Sequence, residues 1–337
     1  MNLHDVNMGF GTYGIGGYKQ KDTSRDSFYL NLLLDVYREG IKFFDTAENY
    51  AEGYSEELLG KAFRGIRKDV IIATKLSPEN MLSADNIRRS IDKSLERLNT
   101  DYIDLYQIHW PHPKANIYEV IDVLFTSIKE GKILRVGLCN FYDEELKLWN
   151  AKLRGNLHSV QNEFNLVENF SNNISDNSVK DIAYSPFKYI NDISSSKKKY
   201  LSFLRDKYNC SSNQLILSWI SSLNKIPLFT SHNIPHIKHN IVFPELTKRD
   251  SEEITNTFKS KIEYINFNRI TYCKEEDFCP SSQELADYIK DSKGFIKPIK
   301  VKLYSSGYYD ILEGKARYHA FKKISPYIPC IIIGENR

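Results

Sequence analysis

Through the first three quarters of the chain, short apolar runs alternate with longer amphipathic stretches. The runs MGFGTYGI (8–15), KFFDTA (42–47), VIIATKL (70–76), IDLYQIHW (103–110), RVGLCNF (135–141), SVQNEFNL (159–166), DIAYSP (181–186) and PLFTS (227–231) read as strands. Between them, NLLLDVYREG (31–40), NIRRSIDKSLERLN (86–99) and YEVIDVLFTSIKEGK (118–132) repeat apolar positions every three or four residues, the helical period. Gly40 and Gly131 fall just past two of these stretches, where helix C-caps favour glycine. Eight strand–helix units in succession predict an α/β fold, a (β/α)8 TIM barrel over residues 1–258. A doubly wound sheet rarely needs eight in order.

The pattern changes after LTKRDSEEITNTF (246–258), which closes the eighth unit. Residues 259–337 read as a strand (IEYINFN), a loop from Cys273 to Pro280, a helix (SQELADYIKDSK), a strand pair (IKPIKVKLY and YYDILEG), a helix (KARYHAFKKI) and a last strand (PCIIIG). They predict a second, small α+β domain. No internal repeat or long low-complexity linker separates the two.

Composition changes this picture little. The 337 residues are 41% hydrophobic and 26% charged, ordinary for a globular chain with a sizeable core, and a net charge of +3 is too mild to imply nucleic acid. The basic run Lys197–Lys199 follows three serines and reads as a solvated loop. No stretch approaches the ~20 apolar residues of a membrane span, and MNLHDVNMGF lacks the apolar core of a signal peptide. The five cysteines, Cys139, Cys210, Cys273, Cys279 and Cys330, are odd in number and scattered, which predicts reduced thiols and a cytoplasmic protein. Cys273 and Cys279 lack a matching second pair, so no metal site is expected.

Candidate chemistry concentrates at strand ends. Asp45, Tyr50, Lys75 and His109 each follow a short apolar run, so a barrel would deliver all four to one rim. A phenol, an ammonium, a carboxylate and an imidazole brought together suit proton transfer to a carbonyl oxygen. A free phenol titrates near 10, so it needs a neighbouring cation to work at neutral pH.

The spacing Asp45-Thr46-Ala47-Glu48-Asn49-Tyr50 with Gly53, then Lys75 in ATKL and His109 in QIHWP, resembles the aldo-keto reductase family of NAD(P)H-dependent (β/α)8-barrel oxidoreductases. The resemblance covers residues 1–258. It implies that Tyr50 protonates the carbonyl oxygen, that Lys75 supports it, that Asp45 pairs with Lys75, and that His109 orients the carbonyl. It also implies a set of cofactor contacts. Gly11, Thr12 and Asp45 lie on the cofactor side. Cys139-Asn140, where the family usually shows Ser-Asn, would contact the nicotinamide carboxamide with Gln161. Tyr184 would stack on the ring, with Ser185 near the pyrophosphate. In TSHNIPHIKHN (230–240), Ser231 and Asn240 match the adenosine-side residues, but His236 stands where the family places a phosphate-clamping Arg. Imidazole is neither bidentate nor always charged, so NADP(H) is expected over NAD(H) with low discrimination, unless Lys238 substitutes. Trp110, Tyr13 and Tyr18 are expected at the mouth.

The C-terminal segment resembles the ParB/sulfiredoxin superfamily, in GFIKPIKV (294–301) and LEGKARYHAFKKI (312–324). That likeness implies a nucleotide- or phosphometabolite-binding box at Glu313, Gly314, Lys315, Arg317 and His319, where helix N-terminal amides hold phosphate. The paired arginines common there are reduced to Lys315-Ala316-Arg317, the sulfiredoxin cysteine is absent, and DNA binding is not expected. The leading expectation is reduction of an aldehyde or ketone. A cofactor-binding sensor and a bifunctional protein with a nucleotide-binding C-terminal domain are the alternatives.

Overall fold

A computed structural model describes residues 3–112, 114–170, 176, 178–271, 285–287, 289, 297–304 and 307–335. Eight parallel strands close into a barrel in chain order: β1 (Gly9–Gly11), β2 (Phe43–Asp45), β3 (Ile71–Leu76), β4 (Leu105–Ile108), β5 (Val136–Cys139), β6 (Leu157–Glu163), β7 (Lys180–Tyr184) and β8 (Lys225–Phe229). All eight predicted runs are found. Closure is made by β1 pairing with β8, Gly9 facing Leu228 and Phe10 facing Phe229.

Helices α1 (Asp26–Arg38), α2 (Tyr54–Phe63), α3 (Ala84–Leu98), α4 (Ile117–Lys129) and α5 (Asp143–Leu153) follow the first five strands. Gly40 and Gly131 both adopt positive φ just beyond α1 and α4. The alternation then loosens. Among the described residues no helix separates β6 from β7, whereas both α6 (Ser195–Tyr208) and α7 (Ser212–Ser222) lie between β7 and β8. Helices α8 (Ile234–Asn240) and α9 (Lys248–Phe258) complete the ring. Caps account for several helix starts: Ser83, Asn116, Ser194, Ser211 and Thr247 each accept a backbone N–H of the first turn. The main core lies between strands and helices, with residues such as Phe10, Phe44, Ile72, Tyr106 and Leu138 fully buried. A smaller cluster of Leu3, Phe43, Ile71, Leu105 and Ile226 fills the barrel interior.

Beyond Phe258 a five-stranded sheet is built from β9 (Glu263–Asn266), β10 (Ile270–Thr271), β11 (Ile299–Leu303), β12 (Tyr309–Glu313) and β13 (Tyr327–Glu335), in the order β10-β12-β11-β13-β9. Helix α10 (Lys315–Lys322) packs on it, and the sheet has its own core of Ile265, Ile299, Val301, Tyr318, Phe321 and Ile328. The predicted strand pair is the antiparallel pair β11–β12. The predicted Cys273–Pro280 loop and most of the helix after it lie outside the described residues.

The joint between the two cores is fastened. Asn169, on the β6–β7 connection, donates to the Phe258 carbonyl (2.8 Å), while its backbone N–H donates to Ser260 Oγ (2.9 Å). Ser260 returns hydrogen bonds to Asn169 Oδ1 and to the Val167 carbonyl. Among the described residues no helix is long and apolar enough to cross a membrane.

Candidate active site

Parallel strands all end on one rim, and the chemistry-bearing residues stand there. Gly11 ends β1, Asp45 ends β2, Lys75 is the next-to-last residue of β3, His109 follows β4, Cys139 ends β5 and Tyr184 ends β7. They share a cavity of about 830 Å³ with Tyr50, Asn140, Gln161, Ser185 and Ser231. All four residues expected to act on a carbonyl therefore meet in one place.

Tyr50 reaches it through an unusual turn. Ala51 and Glu52 both hold left-handed backbone (φ 49° and 58°), followed by Gly53 at φ 88°. Left-handed geometry in non-glycine residues costs roughly 1–3 kcal/mol each and survives only where surrounding structure imposes it. Here the Ala51 N–H donates to the Tyr18 carbonyl (3.0 Å), tying the turn to the mouth of the cavity. The Tyr50 ring meets Tyr13 edge-on at 5.1 Å and His109 at 5.8 Å.

Lys75 is buried, and its Nζ donates to Asp45 Oδ1 (2.5 Å) and to the Thr46 carbonyl (2.7 Å). Burial works against its charge, but Asp45 and the neighbouring Tyr50 more than offset it and hold the ammonium above its ordinary range. Asp45 is pushed upward by burial against the pull of Lys75 and of two amides. Those amides are Gln161 (3.1 Å) and Gln107 (3.3 Å), and Gln107 also donates to Gln161 Oε1 (3.0 Å). With three donors converging on it, Asp45 serves as the carboxylate partner of Lys75. Gln107 escaped the sequence reading, although its place two residues before His109 puts it on the same inward face of β4.

Burial lifts the Tyr50 phenol to about 12, with Lys75 opposing the rise. His109 is driven well below 6.5, first by burial and then by the Lys75 charge, so its imidazole is neutral at physiological pH. Its ring stacks on Trp110 at 3.7 Å. A protonated phenol and a neutral imidazole are both hydrogen-bond donors, as an incoming carbonyl oxygen requires.

The expected cofactor residues divide into two groups. Asn140, in left-handed conformation (φ 64°), donates to the His109 carbonyl (3.0 Å) and accepts from the Tyr184 hydroxyl (2.6 Å). Gln161 keeps one N–H and one lone pair free, and Asn140 keeps a lone pair on Oδ1, its second N–H making only a weak contact with Cys139, which fits the carboxamide of a nicotinamide beside the Tyr184 ring. Cys139 is a buried thiol pushed up to about 12 by burial, and its Sγ accepts only a weak contact from Asn140 (3.3 Å). Thr12 is turned away: its hydroxyl is committed to the Asp45 carbonyl and accepts from Ser55. His236 is exposed and Asn240 buried on α8, neither on the cavity wall, while Lys238 is paired with Glu39 (3.0 Å). His232, absent from the sequence expectations, lies on the wall.

The aldo/keto reductase family is matched over residues 7–259. The chain belongs to that family. It is 37% identical over 170 residues to the aldo-keto reductase YhdN of Bacillus subtilis (strain 168), a match covering 48% of this chain and 50% of that protein, so it spans about half the length of that relative. It is 28% identical over 257 residues to the methylglyoxal reductase YeaE of Escherichia coli (strain K12), covering 73% of this chain and 87% of the relative. Among solved structures, the thermostable aldo-keto reductase Tm1743 in complex with the inhibitor epalrestat superposes with a TM-score of 0.68 at 28% identity, over 74% of this chain and 94% of that one.

The C-terminal candidates are placed differently from expectation. Glu313 is not open to a ligand: its Oε2 lies 2.7 Å from Lys188 Nζ, on the barrel, and 3.0 Å from Lys300 Nζ. Arg317 donates to the carbonyls of Lys297 (2.9 Å) and Pro298 (3.1 Å). A Cβ on Gly314, at φ 100°, would stand 2.7 Å from the Ile299 side chain, so the glycine serves the packing of α10 on β11. Lys315 and His319 both make interactions of their own. The box expected to hold nucleotide phosphates thus has its acidic residue and its arginine committed to the protein.

Proposed function

We propose that this protein is an NAD(P)H-dependent reductase of small aldehydes or ketones. The observation that carries the reading is the convergence of Tyr50, Lys75, Asp45 and His109 on one cavity, with the Lys75 ammonium bonded to Asp45. When bound, reduced nicotinamide supplies the hydride. His109 orients the carbonyl by donating to its oxygen, and Tyr50 delivers the proton there. A phenol raised to about 12 is protonated at physiological pH and can donate to the carbonyl oxygen, although burial outweighs the acidifying pull expected of Lys75. Asn140, Gln161 and Tyr184 hold the nicotinamide end. Because His236 is exposed and Lys238 is taken by Glu39, NADP(H) is preferred over NAD(H) only weakly.

The aromatic rim of Tyr13, Tyr18 and Trp110 suits a compact or sugar-like carbonyl compound, and methylglyoxal is a fitting first probe in view of the YeaE relative. The C-terminal segment is read as a ParB/sulfiredoxin-type domain on its two sequence boxes. Following NADPH and NADH absorbance with methylglyoxal and a panel of sugar aldehydes tests the proposal. Absence of carbonyl-dependent oxidation of either cofactor by folded protein sinks it.

A further inference from the structure

The densest group of buried charge outside the tetrad lies where the C-terminal sheet meets the barrel. Lys300, on β11, is fully buried, its Nζ 2.7 Å from Glu163, at the end of β6, and 2.5 Å from Glu168, on the β6–β7 connection. Lys297 pairs with the same two carboxylates at 3.3 and 2.9 Å. Glu313, on β12, closes the group by binding Lys188, which also lies 3.3 Å from Glu163. Lys188 is a wall residue of the catalytic cavity, four residues after Tyr184. One side chain of the C-terminal domain is therefore bonded directly to the lining of the reductase site.

Two features show what Lys188 is held for. Counting Arg317, which lies 3.8 Å from Glu313, four cations face three carboxylates among the described residues, leaving one positive charge in excess. Lys188 is also the most exposed of those cations, at 37% of its side chain, and it lines the cavity. An ammonium has three N–H donors, and one is given to Glu313 at 2.7 Å.

We propose that the C-terminal domain buttresses the wall of the reductase site, with Glu313 a positioning residue that holds Lys188 to receive an anionic oxygen group at the cavity. The inference rests on the reading of the cavity as a reductase site. The anion is either a cofactor phosphate or a carboxylate of the substrate, and both present the same chemistry to an ammonium.

The test is a double-mutant cycle in the full chain with Glu313→Gln and Lys188→Gln. Cofactor affinity is read by fluorescence titration with NADPH, and KM and kcat with butyraldehyde and with succinic semialdehyde, neutral and anionic probes of similar size. Each single variant is expected to weaken one anion-dependent parameter by about five-fold, the worth of a partly exposed ion pair. That parameter is NADPH affinity if the anion is the cofactor's, or KM for succinic semialdehyde if it is the substrate's. The double variant should be no worse than Lys188→Gln alone, because Glu313 acts through Lys188. Additive effects, unchanged parameters, or an equal loss of kcat with both aldehydes overturn the proposal. Should Glu313→Gln lose its folding transition, Glu313→Asp takes its place with the same criteria. NADPH titration reads the coupling even if no carbonyl is reduced, so failure of the reductase reading remains distinct from failure of this one.

Discussion

Replacing Tyr50 with Phe removes one hydroxyl and little else. The ring keeps its edge-on contacts with Tyr13 and His109, so folding stability should change by no more than about 1.5 kcal/mol, the net worth of one hydrogen bond. Turnover should respond far more. With the phenol at about 12, essentially every wild-type molecule carries the proton at pH 7, and the loss appears in full. General acid catalysis contributes roughly 10²- to 10⁴-fold, and His109 remains to polarise the carbonyl, so a fall near the lower end, about 100-fold or about 2.7 kcal/mol, is expected. Stopped-flow and steady-state oxidation of NADPH with methylglyoxal, set beside NADPH binding by fluorescence, make the measurement. Binding should hold, since nicotinamide needs no contact from the hydroxyl. Turnover within a few-fold of wild type would refute the assignment of Tyr50 as the proton donor, and a parallel loss of NADPH affinity would show that the substitution disturbed the cavity instead.

Three further outcomes are expected. Lys300→Met leaves Glu163 and Glu168 buried with less compensation and should cost about 3–5 kcal/mol in urea unfolding, with an unchanged midpoint counting against a buried network. His109 is held neutral in the folded protein while the unfolded chain takes up a proton below about 6.5, so its contribution to stability is present above that pH and lost as pH falls, with a slope of at most about 1.4 kcal/mol per pH unit. Urea midpoints between pH 8 and 5 should therefore fall less steeply for His109→Gln than for wild type, and parallel curves contradict the buried neutral imidazole. His236→Arg should tighten NADPH by about ten-fold, a charged hydrogen bond being worth about 1.5–3 kcal/mol, and leave NADH unaffected in paired titrations. Equal gains for both cofactors would place the new guanidinium away from the 2′-phosphate.

The barrel was legible in the sequence because its signals are local. Strand runs, helical periods and the glycines after α1 and α4 each act within a dozen residues, and strands in unbroken parallel succession leave few topologies open. Asp45, Lys75 and His109 were legible for the same reason: a residue at the end of a parallel strand is delivered to the rim whatever the rest of the chain does. The parts decided by tertiary structure alone are those whose partners are remote. Gln107 reads locally as one more strand residue, and only closure of the barrel brings it to Asp45 and Gln161. Glu163, Lys188, Lys300 and Glu313 are spread over 150 positions, and no periodicity marks any of them. Glu313 stands in a segment that reads as a phosphate box, yet the docked sheet turns its carboxylate onto the barrel. A buried charge must find an opposite charge wherever the fold provides one, and that pairing is a property of packing in three dimensions, carried by no stretch of the chain alone.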